Sequence, residues 1–149
     1  MIVYRLVSKK HSADLSGTGA ALYGGRWNSK GRPIVYTGES VEIALLEVLA
    51  NITIPQIDNY NLVKIDIPDD SLYRIDEIDL PKSWKHYPAP KDLSRIGDNW
   101  IESNKSVALK VPSCIIPTAS NFILNYQHPE FHKVRIIEAT EFKIDKRLM

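Results

Sequence analysis

Four residues have types and settings that could do chemistry on a charged or heterocyclic ligand. Arg26 lies in Gly24-Gly-Arg-Trp-Asn-Ser-Lys-Gly31, between flexible glycines and a small polar run. Such a segment can present the planar guanidinium fork, together with neighbouring backbone N–H groups, to a phosphate or diphosphate. The plainer reading is a surface turn with a solvated arginine, and the spacing matches neither of the common glycine-rich phosphate loops. Glu47 interrupts Ile43-Ala-Leu-Leu-Glu-Val-Leu-Ala50, which is otherwise wholly apolar. Its carboxylate looks either into solvent or into a cleft, where desolvation would raise its pKa and a nearby arginine would lower it. Tyr36 precedes that segment and could stack on a flat ring or simply pack in the core. Ser113, in Val111-Pro-Ser-Cys-Ile-Ile-Pro117, is a hydroxyl among apolar neighbours and needs a hydrogen-bond partner.

Other chemistries find little support. The four histidines, His11, His86, His128 and His132, lack zinc-ligand spacing, and with a single cysteine a structural metal site is not expected. No G-x-S-x-G elbow marks a hydrolase serine. The acidic residues Asp66, Asp69, Asp70, Asp76, Glu77 and Asp79 read most simply as a solvated face. Cys114 reads as a buried small hydrophobe. With 19 basic and 18 acidic residues the net charge is +1, without the basic excess of a general nucleic-acid binder.

The 149 residues are 44% hydrophobic and 25% charged, ordinary for one globular domain with a substantial core. One cysteine, Cys114, permits no intrachain disulfide and suits a reducing compartment. The N-terminal segment does not read as a signal peptide, and no apolar run is long enough to span a bilayer. A cytoplasmic location without a membrane partner is therefore expected.

The elements that must position the four residues follow from patterning. Residues 2–7, 33–37, 61–68, 72–75, 106–111, 114–117 and 133–142 read as strands, with a short element at 122–125 before a turn at His128-Pro129. Residues 12–32 hold five of the seven glycines and read as one long irregular segment. A helix is expected from Val41 to Asn51, capped near Glu39 or Ser40, with Val41, Ala44, Leu45, Val48 and Leu49 on one face. Pro55 requires it to have ended by then. Residues 79–91, with Pro81, Pro88 and Pro90, read as a loop, followed by a helix over 92–102 with Leu93, Ile96, Trp100 and Ile101 inward. Strands outnumber helices without alternating with them, which predicts an α+β fold in a single domain.

In order along the chain, Gly25-Arg-Trp-Asn-Ser-Lys-Gly31, Ile34-Val-Tyr-Thr-Gly-Glu-Ser40, Ala44-Leu-Leu-Glu-Val-Leu49, Val111-Pro-Ser113 and Asn121-Phe-Ile-Leu-Asn-Tyr-Gln-His-Pro129 resemble the RES-domain family. The family takes its name from its arginine, glutamate and serine. The resemblance spans residues 4 to about 137; Tyr126 stands where the family pattern suggests proline, and Thr118-Ala-Ser120 where it is often acidic. It implies a mixed, mostly antiparallel sheet with a few helices, similar to ADP-ribosyltransferases. It also implies a bacterial toxin acting on NAD+ as substrate without a metal, with an Xre-type antitoxin as partner and DNA reached only through that antitoxin. By carry-over, Glu47, Arg26 and Tyr36 are the catalytic set, and Arg26, Tyr36, Ser113 and Asn121 hold the dinucleotide.

Breaking the nicotinamide–ribose bond builds positive charge on the ribose, which a carboxylate can stabilise once the dinucleotide is held. On that hypothesis Arg26 takes the phosphates, Tyr36 the nicotinamide face, Ser113 a ribose or amide hydrogen bond, and Glu47, by the ribose hydroxyls, stabilises the developing cation or orients the attacking group. Water, phosphate or a protein side chain are all open as acceptor, with transfer to a protein ranked second. The rivals are a non-catalytic NAD+-binding or antitoxin-docking module and a nuclease, the latter disfavoured by the missing metal-ligand cluster.

Overall fold

A computed structural model describes residues 1–51 and 59–149. Seven strands form one sheet: β1 (Ile2–Ser8), β2 (Ile34–Gly38), β3 (Tyr60–Asp66), β4 (Leu72–Arg74), β5 (Ala108–Pro112), β6 (Ser120–Asn125) and β7 (Arg135–Phe142). Their order is β4-β5-β6-β2-β1-β3-β7. Among the described residues only β4 and β5 run parallel; every other pairing is antiparallel. Three α-helices accompany the sheet among the described residues: α1 (Thr18–Tyr23), α2 (Val41–Leu49) and α3 (Lys91–Ser103). The α+β class and the mixed, mostly antiparallel sheet expected from the sequence are what the chain adopts.

The sheet's alternation sorts its side chains onto two faces. On one face Val3, Val35, Val63, Ile65, Phe122 and Leu124 form a buried cluster covered by Leu15, Phe131 and Val134. The other face carries the helices. There Ile34, Leu109, Val111 and Ile123 pack with Trp27, Trp84 and the α3 residues Leu93, Trp100 and Ile101. The α3 pattern, buried at Leu93, Gly97, Trp100 and Ile101, is the i, i+4, i+7, i+8 stripe of a helix lying on a core. Beside it Ala44, Leu45, Val48 and Leu49 of α2 pack over Tyr4 and Leu6 of β1 and Leu62 of β3.

The start of α2 is set by Ser40, whose Oγ accepts from Ile43 N at 3.2 Å, an N-cap worth about 1 kcal/mol. Ile43 falls outside the apolar stripe read from the sequence, yet it is buried, because α2 begins over the end of β2. That placement decides the environment of Glu47. One turn beyond Ile43, it faces the interior side of the helix instead of solvent.

Several local expectations are corrected. Cys114–Pro117 is not a strand: β5 ends at Pro112, and the chain turns so that Ser113 N donates to Ala119 O at 2.9 Å. Residues 12–32 are not wholly irregular, since α1 forms inside them between Gly17 and Gly24, both with left-handed φ. Cys114 is half-buried, not fully enclosed. The helix expected to Asn51 ends at Leu49, and Pro55 lies outside the described residues. Among the described residues no helix is long and apolar enough to cross a membrane.

Candidate functional site

The site lies on the helical face of the sheet, where the ends of β2, β5 and β6 meet α2. Register brings its parts together: Gly38 of β2 pairs with Asn121 of β6, and Asn121 pairs with Val111 of β5. Ser113 follows two residues after Val111. Tyr36, two before Gly38, shares the same face by strand alternation.

Ser113 is completely buried, and its hydroxyl oxygen accepts from Ile115 N and Ile116 N, each at 3.2 Å. Those two bonds close the turn after β5. They leave the hydroxyl proton to point at Glu47 Oε1, 3.5 Å away. The partner that a buried serine requires is thus partly backbone and partly the candidate carboxylate. Asn121 donates from Nδ2 to Thr37 O at 3.2 Å and turns the same amide toward Glu47.

Burial pushes the Glu47 carboxyl above the usual carboxylate range; the positive charge of Arg26 and hydrogen bonding from Ser113 and Asn121 oppose that rise. Burial likewise raises the neighbouring Cys114 thiol, again against the pull of Arg26. A half-desolvated carboxylate facing a guanidinium and two neutral donors can stabilise a cation, accept a proton or orient a hydroxyl.

Arg26 is not the free surface arginine of the plainer reading. Its Nη1 donates to Trp84 O at 2.7 Å and to His86 O at 3.3 Å, and Nη2 reaches His86 O at 3.3 Å. The proline-rich loop before α3 therefore supplies carbonyls that hold the guanidinium, leaving part of its five-donor fork uncommitted. Beneath it, Tyr36 Oη accepts from Trp27 N at 3.0 Å and donates to Asn28 Oδ1 at 2.6 Å. Burial raises the Tyr36 phenol far above its ordinary value, so it stays protonated as a donor. A side chain at Gly25 would sit 2.6 Å from Tyr36 Oη, so only glycine fits there.

All five residues singled out from the sequence, Arg26, Tyr36, Glu47, Ser113 and Asn121, gather around this one region. Several supporting residues have no counterpart in the sequence reading. Asn28 is 1% exposed, and its Nδ2 donates to Ala20 O at 2.9 Å and Arg32 O at 3.0 Å. Asp98 of α3 accepts from Ser29 N at 3.0 Å and Ser29 Oγ at 2.5 Å, and Glu102 pairs with Arg32. Gly97 lets α3 come against the Trp27 carbonyl, a space any Cβ would invade. A glycine inside a strongly periodic helix is the one available signal for that contact. The carbonyls of Trp84 and His86 have none, because every residue type carries a carbonyl. Among the described residues, no group of three or more His, Cys, Asp or Glu side chains is placed to hold a metal.

Comparison with known proteins decides the family, since the RES domain model matches residues 2–145. The chain belongs to the RES-domain family. A protein named Toxin Res from Photorhabdus laumondii is 41% identical over 153 residues, covering 100% of this chain and 97% of that protein. Another Toxin Res, from Yersinia enterocolitica, is 36% identical with 99% of each chain covered. A protein named Prs ADP-ribosylating toxin, from a Sphingobium species, is 33% identical over 91% of this chain and 87% of its own length. Among solved structures, one chain of the M. tuberculosis MbcT–MbcA toxin–antitoxin complex superposes with a TM-score of 0.79 at 20% identity. That match covers 95% of this RES domain and 84% of the neighbour, which makes it a likeness of fold.

Proposed function

We propose that this RES domain is the toxin of a bacterial toxin–antitoxin pair and acts by cleaving the nicotinamide–ribose bond of NAD+. The observation that carries the reading is the half-buried Glu47 carboxylate, met by Ser113 at 3.5 Å and by the charge of Arg26. Relatives named as toxins across nearly the whole chain support it. In this reading Arg26 binds the diphosphate with the donors that Trp84 and His86 leave free. Glu47 lies beside the ribose and stabilises the oxocarbenium-like transition state as nicotinamide departs, a type of charge stabilisation worth on the order of 10²–10⁴ in rate. Asn121 and Ser113 fix the carboxylate's position and hold its proton off. No metal takes part in this scheme.

Water or inorganic phosphate is the acceptor we favour, so that the cell's NAD+ is depleted. Transfer to a protein side chain is the second reading, supported by the name of the Sphingobium relative. The partner that restrains the toxin is an antitoxin, of the Xre type by family resemblance, and DNA is met only through it in the cytoplasm.

Induction of the chain in a bacterial host tests the proposal. Growth arrest with a collapsing NAD+ pool, and neither effect from Glu47→Gln, is the expected outcome. Arrest with an unchanged pool would replace depletion by protein modification, and normal growth with a normal pool would overturn the toxin reading.

A further inference from the structure

The hydrogen bonds around the 24–28 turn point to a division of labour that the residue types alone do not suggest. Arg26 is held at two levels. Its guanidinium is held by the Trp84 and His86 carbonyls. Its backbone is held from below, because the amide of the next residue, Trp27, donates to Tyr36 Oη. Tyr36 Oη in turn donates to Asn28 Oδ1 at 2.6 Å, and Gly25 N donates to Asn28 O at 3.0 Å. Asn28 is 1% exposed and ties the turn to the segments on either side through Ala20 O and Arg32 O. The Tyr36 ring packs against the cluster of Trp27, Ile34 and Ile123. The hydroxyl is thus committed within the protein, and the partly buried ring rests on that cluster.

We infer that Tyr36 and Asn28 are positioning residues that act on the substrate only through Arg26. Tyr36 does not stack on nicotinamide; it is the post on which the arginine turn stands, and Asn28 is the brace that fixes the post. This assignment rests on the proposed role of Arg26 in binding NAD+, and it replaces direct contact by Tyr36 with an indirect one.

The consequence is coupling between groups that do not touch. Among the described residues, Arg26, Tyr36 and Cys114 are the charged or titratable groups facing Glu47, from the 24–28 turn, β2 and the turn after β5 respectively. Of these only Arg26 opposes the rise of the Glu47 carboxyl. Tyr36→Phe removes no charge, because the phenol is neutral, but it removes the support under Trp27 N and lets Arg26 drift. The Glu47 titration should therefore move upward in Tyr36→Phe, in the same direction as in Arg26→Ala.

The test is a carbon-13 NMR titration of the Glu47 carboxyl in the wild type, Tyr36→Phe, Arg26→Ala and the double variant. We expect an upward shift in Tyr36→Phe at least half that of Arg26→Ala, and no further shift when Tyr36→Phe is added to the Arg26→Ala background. An unmoved titration in Tyr36→Phe, or additive shifts in the double variant, would overturn the assignment. This readout needs no NAD+ turnover, so it stands even where the proposed reaction fails. Where turnover is present, Tyr36→Phe should raise KM about tenfold with little change in kcat, the loss of one bond's worth of placement. A collapse of kcat with KM unchanged would instead indicate direct contact with the reacting ring. Asn28→Ala provides a second variant for the same titration, since Tyr36 then loses its acceptor while its ring stays in place; an upward shift is again expected, and an unmoved titration would count against the brace.

Discussion

Replacing Glu47 by Gln separates the chemistry of this site from its architecture. The amide has the size of the carboxyl group and can still accept from Ser113, whose oxygen lies 3.5 Å from Oε1. What is lost is the negative charge. If that charge stabilises the ribosyl cation, kcat for nicotinamide release should fall on the order of 10²–10⁴, with KM for NAD+ changed by less than about threefold. Stability should move the other way. Burial raises the folded-state pKa of Glu47 above its unfolded value, so its contribution is fully present at low pH and is lost as pH rises through the folded pKa. Where it is ionised, the half-buried carboxylate is a burden on the fold, and the neutral amide removes it. Glu47→Gln should therefore melt at or above the wild-type temperature at pH 7, while at pH 4 the advantage shrinks. Chromatographic nicotinamide assays and thermal melts at both pH values measure the two halves. A variant that keeps full turnover would refute the role of the charge. One that is inactive and melts well below the wild type would show that Glu47 is needed for folding, and its inactivity would say nothing for charge stabilisation.

The same contacts set three other expectations. The pH profile of kcat/KM should lose activity on its acid side through a pKa above the ordinary glutamate range, since burial is the largest influence on Glu47; a limb at the ordinary range would contradict this. Ser113→Ala strands the amides of Ile115 and Ile116, and urea unfolding should show a loss of about 1–3 kcal/mol together with reduced turnover. Gly97→Ala drives a methyl into the Trp27 carbonyl, so it should cost about 1–3 kcal/mol in the same assay and weaken NAD+ binding by displacing the arginine turn; unchanged values for both would dissolve the link between α3 and Arg26.

Much of the fold is legible in the residue letters, for identifiable reasons. The apolar periodicity of α2 and α3 and the apolar positions of β1, β3 and β5 reflect burial, which side-chain type reports directly, whereas β7 is legible from its β-branched residues although it is almost wholly exposed. Glu47 is visible as a carboxylate in an apolar helix, but its direction is not. The helix wheel places it off the core, and only the packing of Ile43 over the end of β2 turns it inward. The segment Cys114–Pro117 has strand-like residues yet turns, because Ser113 offers its oxygen to two successive amides and competes with a ladder. The grip on Arg26 leaves no trace in the sequence. It is made by main-chain oxygens of Trp84 and His86, some sixty residues away, and backbone carries no signature in the residue letters.

Whether the cluster of Arg26, Glu47, Ser113 and Asn121 breaks NAD+ is open to direct observation. Mass spectrometry of NAD+ incubated with the purified protein, with and without inorganic phosphate, beside Glu47→Gln, makes that observation. Nicotinamide release by the wild type alone is expected, with ADP-ribose or its phosphorylated form as the second product. Intact NAD+ under every condition, with calorimetry still registering its binding, would contradict cleavage and leave a module that recognises the dinucleotide without breaking it.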